Sequence, residues 1–169
     1  MRAFARILLT ALFAVSFFVS SAMAEPRGIW VTKEGKSLIN IAPCKGQRGP
    51  RSTLCSKIIW LQKPFNEKGE PLRDQINANP RLRKRTILGM PILLDMRPKS
   101  GSWEGRVYNP EDGKEYRAEM HPQGRRKLLV KGCAKVLFSW VCREQLWHRV
   151  TVGAIRAIDM PVEPVISSN

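Results

Sequence analysis

Trp103-Glu104-Gly105-Arg106-Val107-Tyr108-Asn109-Pro110-Glu111-Asp112-Gly113-Lys114-Glu115-Tyr116-Arg117-Ala118-Glu119-Met120 reads as a β-hairpin. Asn109 to Gly113 is the clearest turn in the chain, because Asp-Gly suits a tight reversal that needs positive φ. After it, Lys114, Arg117 and Glu119 lie among Tyr116, Ala118 and Met120. The last three share one face by the two-residue period of a strand. Trp103 to Tyr108 is the strand that pairs with them.

The same pattern continues outward in both directions. Downstream, Pro122 to Arg125 turns, Lys127 to Cys133 returns, and Val141 to Val150 is a last strand holding Leu146 and Trp147. Upstream, Met90 to Met96 is a nearly continuous apolar strand whose Pro91 must sit at a strand start or a bulge. Leu54 to Gln62 is strongly β-prone, and Ser37 to Ala42 and Gly28 to Lys33 form a first hairpin around Gly35. Eight strands, mostly hairpin-linked and with one short helical insertion, imply an all-β fold. Eight antiparallel strands can close into a barrel that fills with side chains or holds one small ligand, and closure removes exposed sheet edges.

Asn77 to Gly89 breaks the pattern. Arg81, Arg83, Lys84 and Arg85 crowd around Leu82, with Asn79 suited to cap a helix, Pro80 to its first position and Gly89 to its stop. One or two helical turns are expected here, with Leu82 inward and the cations outward. These four cations are candidates for gripping phosphate or carboxylate groups. The alternative is a solvated face with some arginines held by local carbonyls and Asp74.

Residues 1–24 read as a secretory leader. Arg2 and Arg6 precede an apolar run from Ile7 to Val19, and Ala22-Met23-Ala24 fits a cleavage site before Glu25. The run is shorter than the ~20 residues a membrane span needs. Residues 25–150 then form one barrel domain, and 151–169, with Gly153, Pro161 and Pro164, a loosely ordered tail with one helical turn near Ala154 to Ala157. The whole chain carries a formal charge of +15. Such an excess favours anionic lipid head groups or other envelope polyanions, and export argues against nucleic acid as the usual partner.

Four cysteines in an exported chain imply disulfides. Three pairings are open, and the two local ones, Cys44 with Cys55 and Cys133 with Cys142, each close a short loop. No C-x-x-C spacing supports zinc, and no metal or cofactor is expected. The apolar run Val136-Leu137-Phe138-Ser139-Trp140-Val141 between the second pair has two readings. It lines a ligand mouth or dips into a membrane interface, or it is barrel core with a turn at Ala134-Lys135.

An ordered set of motifs carries a resemblance. Gly28-x-Trp30, Pro43 before Cys44, Leu54-Cys55, Ile59-Trp60-Leu61 followed by Pro64, and Gly69-x-Pro71 come first. Asp74-x-x-Asn77, Asn79-Pro80-x-Leu82-Arg83-x-Arg85 and Gly89 follow, then Trp103-x-Gly105 and Tyr108-x-Pro110-x-x-Gly113-Lys114-x-Tyr116. Val130-x-Gly132 and Gln145-x-Trp147-x-Arg149-Val150 complete it. This resembles the exported bacterial family called domain of unknown function 2147, over about residues 27–150. The resemblance implies a lipocalin-like, calycin-type barrel in the cell envelope and brings no established reaction. It favours structural roles for Arg83 and Arg85, so that selective anion binding would rest on Arg81 and Lys84. Ser56 where the family tends to have Gly, Asn66 where Asp is usual and Arg106 in place of a second Gly depart from the pattern. By analogy with the opening motif of lipocalins, Arg149 would stack on Trp30 at the barrel floor.

Catalysis finds little support. There are two histidines, His121 and His148, no G-x-S-x-G elbow, and no free thiol if both pairs are bridged. Asp74, Asp95, Glu104, Asp112 and Glu115 show no sequence pairing for acid–base work. The expectation is a non-enzymatic barrel for a small apolar or amphipathic ligand, lined by Trp60, Ile92, Tyr108, Tyr116 and Leu128, with basic residues taking an anionic head. The alternative is a filled, adhesive barrel that binds anionic envelope components through its basic surface. A carboxylate pair, or His121 beside a carboxylate in a cleft, would instead favour an enzyme.

Overall fold

In a computed structural model, residues 24–49 and 52–151 are described. Eight antiparallel strands run in chain order: β1 Gly28–Val31, β2 Ser37–Pro43, β3 Leu54–Leu61, β4 Leu93–Lys99, β5 Ser102–Asn109, β6 Lys114–Gln123, β7 Lys127–Val136 and β8 Ser139–Arg149. Each pairs with the next, and β8 returns to β1 at Trp30↔Arg149 and Val31↔His148, so the sheet is a closed barrel. The leader reading, the tail from residue 152 and its helical turn lie outside the described residues.

Alternation fills the interior. Every strand sends in a large side chain: Trp30, Ile39, Ile58, Met96, Trp103, Met120, Leu128 and Trp147, in chain order, belong to one contiguous buried core. Strand alternation places such residues on one face and polar ones on the other. The β3–β4 seam is thin, with Leu54↔Met96 as its paired residues. Buried Ser56 reinforces it by accepting the Leu93 N–H at 2.8 Å. A glycine at position 56 would leave that donor without this acceptor.

Several boundaries differ from the sequence reading, each for a local reason. Pro91 makes an isolated bridge with Lys57 outside the ladder, and β4 starts only at Leu93. A register shift lies between Leu94 and Arg97, where Asp95 has φ 51°. Pro98 stays in the strand, because the reversal falls on Ser100 and Gly101, both at positive φ. The turn expected at Ala134-Lys135 is displaced to Leu137-Phe138, since β7 and β8 stay in register from Lys127↔His148 to Val136↔Ser139. The helical segment is a single 3-10 turn, Pro80–Leu82, with the Asn79 side chain accepting from the Arg81 N–H. Leu82 is partly exposed rather than inward, because the chain on either side is pinned back on itself by Asp74 N–H donating to the Arg85 carbonyl and by an Arg73–Thr86 bridge.

Up-and-down connectivity gives the barrel two distinct ends. The Cys44–Cys55 loop and the turns after β4 and β6 lie at one end, with the start of β1 and the end of β8; we call it the floor. The β1–β2 turn, the long 62–92 connection and the turns after β5 and β7 lie at the other, the mouth.

Candidate functional site

The mouth is built around a buried carboxylate. Asp74 is fully buried. Its Oδ2 accepts from Arg85 Nε and Nη2, both at 2.8 Å, and from Asn77 Nδ2 at 2.7 Å. Its Oδ1 accepts from the Tyr108 hydroxyl, which itself accepts from Asn77 Nδ2 at 2.8 Å. The Arg85 guanidinium also lies 5.0 Å from the Tyr108 ring centroid. Burial first, and then the bond to Asp74, hold the Tyr108 phenol above its ordinary value. A buried charge is tolerated when paired and fully hydrogen-bonded, and this one is.

Both flanks of the cluster are locally enforced. Asn77 accepts the Asn79 N–H through its side chain at 2.8 Å, and its carbonyl accepts from Arg83 Nε at 2.8 Å. Gly113, at φ 71°, packs on the same loop: a Cβ there would overlap the Ile76 carbonyl oxygen. The Asp-Gly turn therefore sets a hairpin and also seats the 62–92 connection on it.

Between this connection and the β5–β6 turn lies an open cleft of about 560 Å³. Leu82, Pro91 and Leu94 contribute apolar lining. Asn77, Asn79, Arg85, Tyr108 and Lys114 contribute polar lining with mostly donor groups, and Glu115 adds one carboxylate. A second groove on the barrel wall runs past Asp95, Arg97, Glu104, Arg106 and Arg117. Its charges largely satisfy one another, with Arg106 bonded to Asp95 at 2.7 Å and Arg117 to Glu104 at 3.4 Å.

Of the residues expected to line the interior, Ile92, Tyr108 and Leu128 are buried in the core, whereas Trp60 and Tyr116 are half-buried outside it. Trp60 sits opposite Leu38 beyond a register shift that turns it off the face of Ile58, and Tyr116 donates its hydroxyl to Asp112. Among the four cations, Arg83 and Arg85 are held by Asn77 and Asp74, and Arg81 and Lys84 are exposed without an ion pair among the described residues. At the floor, the Arg149 guanidinium carbon is 4.3 Å from the Trp30 ring centroid, and its nitrogens donate to the carbonyls of Arg125, Arg27 and Glu25.

Both local disulfides are formed. The ligand-type cluster found among the described residues is that first disulfide beside Asp95, and sulfurs joined to each other are not thiolate ligands. His121 Nε2 is 3.1 Å from Glu119 on the outer face of β6 and lines neither cleft. The sequence reading holds open that arginines here bond local carbonyls and Asp74, as Arg83 and Arg85 do, but it does not join the Asn77 and Tyr108 side chains to them. The cluster's fourth member, Tyr108, comes from a strand remote in sequence.

A family described as "Uncharacterized protein conserved in bacteria (DUF2147)" matches residues 28–149. Among solved structures, a Helicobacter pylori protein, HP1028, described as belonging to the lipocalin family, superposes with a TM-score of 0.62 at 23% identity, covering 79% of this chain and 88% of its own. That likeness bears on the fold. No curated protein matches the chain.

Proposed function

The chain belongs to this DUF2147 family, and we propose that it is a non-enzymatic envelope protein that holds a small amphipathic ligand with an anionic group in the mouth cleft. The observation that carries this is the mixed lining of the cleft, in which Leu82, Pro91 and Leu94 supply apolar surface and Arg85, Asn79 and Lys114 supply donors. Pockets of this size with few converging polar groups are the usual form of small-molecule sites. The filled core moves the reading from the barrel interior, where the sequence pointed, to its rim. The Asp74 cluster then acts as a fixed platform beneath the ligand. Asp74 takes Arg85 Nε and Nη2, which leaves Lys114 and the amide of Asn79 as the more available donors.

Compartment chemistry supports the envelope assignment. Two disulfides suit an oxidising compartment, the leader reading agrees, and no helix among the described residues is long and apolar enough to cross a membrane.

Native mass spectrometry of protein purified gently from its own cell envelope tests the reading, followed by titration with a long-chain fatty acid and a lysophospholipid. A stoichiometric adduct that is lost on denaturation, and weakened by Lys114→Glu and Leu82→Asp, is expected. A clean mass through repeated preparations and both titrations would overturn it.

A further inference from the structure

The β7–β8 hairpin outruns the barrel. β6 stops pairing with β7 at Arg117↔Cys133, whereas β7 and β8 continue together to Val136↔Ser139. On the other side β1 meets β8 only at Arg149 and His148. The hairpin end is therefore a two-stranded arm at the mouth. The Cys133–Cys142 disulfide joins directly opposed residues, Cα atoms 4.1 Å apart, where β6 departs. It fixes the root of the arm.

What the arm carries runs against its position. The reversal is Leu137-Phe138, with Leu137 at φ 54°, a conformation that favours Gly or Asn and disfavours bulky side chains. Leu137 is 84% and Phe138 99% exposed, and Val136, Trp140 and Val141 are each more than half exposed. Local turn chemistry asks for polar or small residues here, and the fold leaves Leu137 and Phe138 almost wholly uncovered. Cations surround the root. Lys135 stands on the arm, and Lys131 and Arg143 stand just below its root, with Glu144 3.9 Å from Lys131. Arg117 on β6 places its guanidinium carbon 5.9 Å from the Trp140 ring centroid.

We propose that this arm is a membrane-docking finger. Leu137 and Phe138 enter the acyl boundary of an anionic lipid surface, Trp140 sits at head-group level, and Lys135, Arg143 and Arg117 meet the lipid phosphates. An apolar tip with an interfacial tryptophan and a basic collar is the composition such a surface selects. Charge complementarity favours an anionic lipid surface over a second copy, since a second copy would present the same basic collar of Lys135, Arg143 and Arg117. The inference is independent of the cleft, although the two lie at the same end of the barrel.

The test is flotation of the full chain with vesicles of phosphatidylcholine alone and of phosphatidylcholine mixed with phosphatidylglycerol. Binding to the mixed vesicles is expected, with a blue shift of tryptophan emission, and roughly tenfold or more weaker partition onto phosphatidylcholine alone. The double variant Leu137→Asp, Phe138→Asp should lose roughly tenfold or more, with an unchanged melting temperature, because neither side chain packs in the fold. Three outcomes overturn the proposal: no binding to the anionic vesicles, undiminished binding by the double variant, or a concentration-dependent dimer that the double variant abolishes without any vesicle binding.

Discussion

At the floor of the barrel, Arg149 covers Trp30 at 4.3 Å; at the mouth, Arg85 covers Tyr108 at 5.0 Å. Both ends place a guanidinium over an aromatic ring, yet they neutralise the cation differently. Arg149 donates to three backbone carbonyls and no carboxylate, and burial pulls it below its ordinary value while Glu25 acts the other way. Arg85 instead meets Asp74, a carboxylate with no exposure at all. The floor is thus closed by one side chain reaching backbone that is already ordered, including the chain just before β1. The mouth is closed by four side chains that need one another. Removing one partner should cost more at the mouth than at the floor, because a buried ion left alone loses its compensation.

Asp74→Ala is accordingly the severest test. It strands the Arg85 charge and two buried hydrogen-bonding groups, and about 3 kcal/mol of stability should disappear in denaturant titration, the estimate being reduced because Arg85 is partly exposed. A loss no larger than that of Arg149→Ala would break the comparison. Next, each end has its own disulfide nearby, and replacing either cysteine pair with serine should cost about 3 kcal/mol in the chain-entropy account. Equal shifts in the two variants would show that the cross-links act on the unfolded chain rather than on the ends themselves. Arg149→Ala should cost about 2 kcal/mol, combining the lost ring contact with lost hydrogen bonds. Arg149→Lys should recover part of that, since it keeps the charge but not the fork.

The smallest effect is the most specific. The chain has two tyrosines. Tyr108 is held above its ordinary 10.0 by burial and Asp74, and Tyr116 is held above the same value by its bond to Asp112 and then by burial. A folded phenol that keeps its proton more tightly adds stability that is fully present below 10.0 and is lost as pH rises through the folded value. Absorbance titration at alkaline pH should therefore show less than half of the phenol ionised at the ordinary midpoint while the fold persists. In Tyr116→Phe, the remaining titration reports the mouth alone. A Tyr108 that titrates normally there would mean that the Asp74 cluster is not closed in solution.

The chain's local chemistry fixed the barrel and left its ends undecided. Two-residue alternation in Tyr116, Ala118 and Met120, and the Asp112-Gly113 turn, are properties of neighbouring residues, so strand identity and hairpin order were readable. Cysteine spacing pointed to the local bridges for the same reason, because short loops close cheaply. Register shifts beside Asp95 and between Leu38 and Ile39 were not readable, since an extra residue in one strand is set by what its partner offers. The shift between Leu38 and Ile39 helped put Trp60 outside the core. The Asp74–Asn77–Tyr108–Arg85 cluster also needed the tertiary structure: its members span 34 residues, and no local rule says which tyrosine a buried aspartate will meet. The apolar run at Val136 to Val141 shows the same limit. Its composition fits a core strand equally well, and only the early departure of β6 from β7 exposes it.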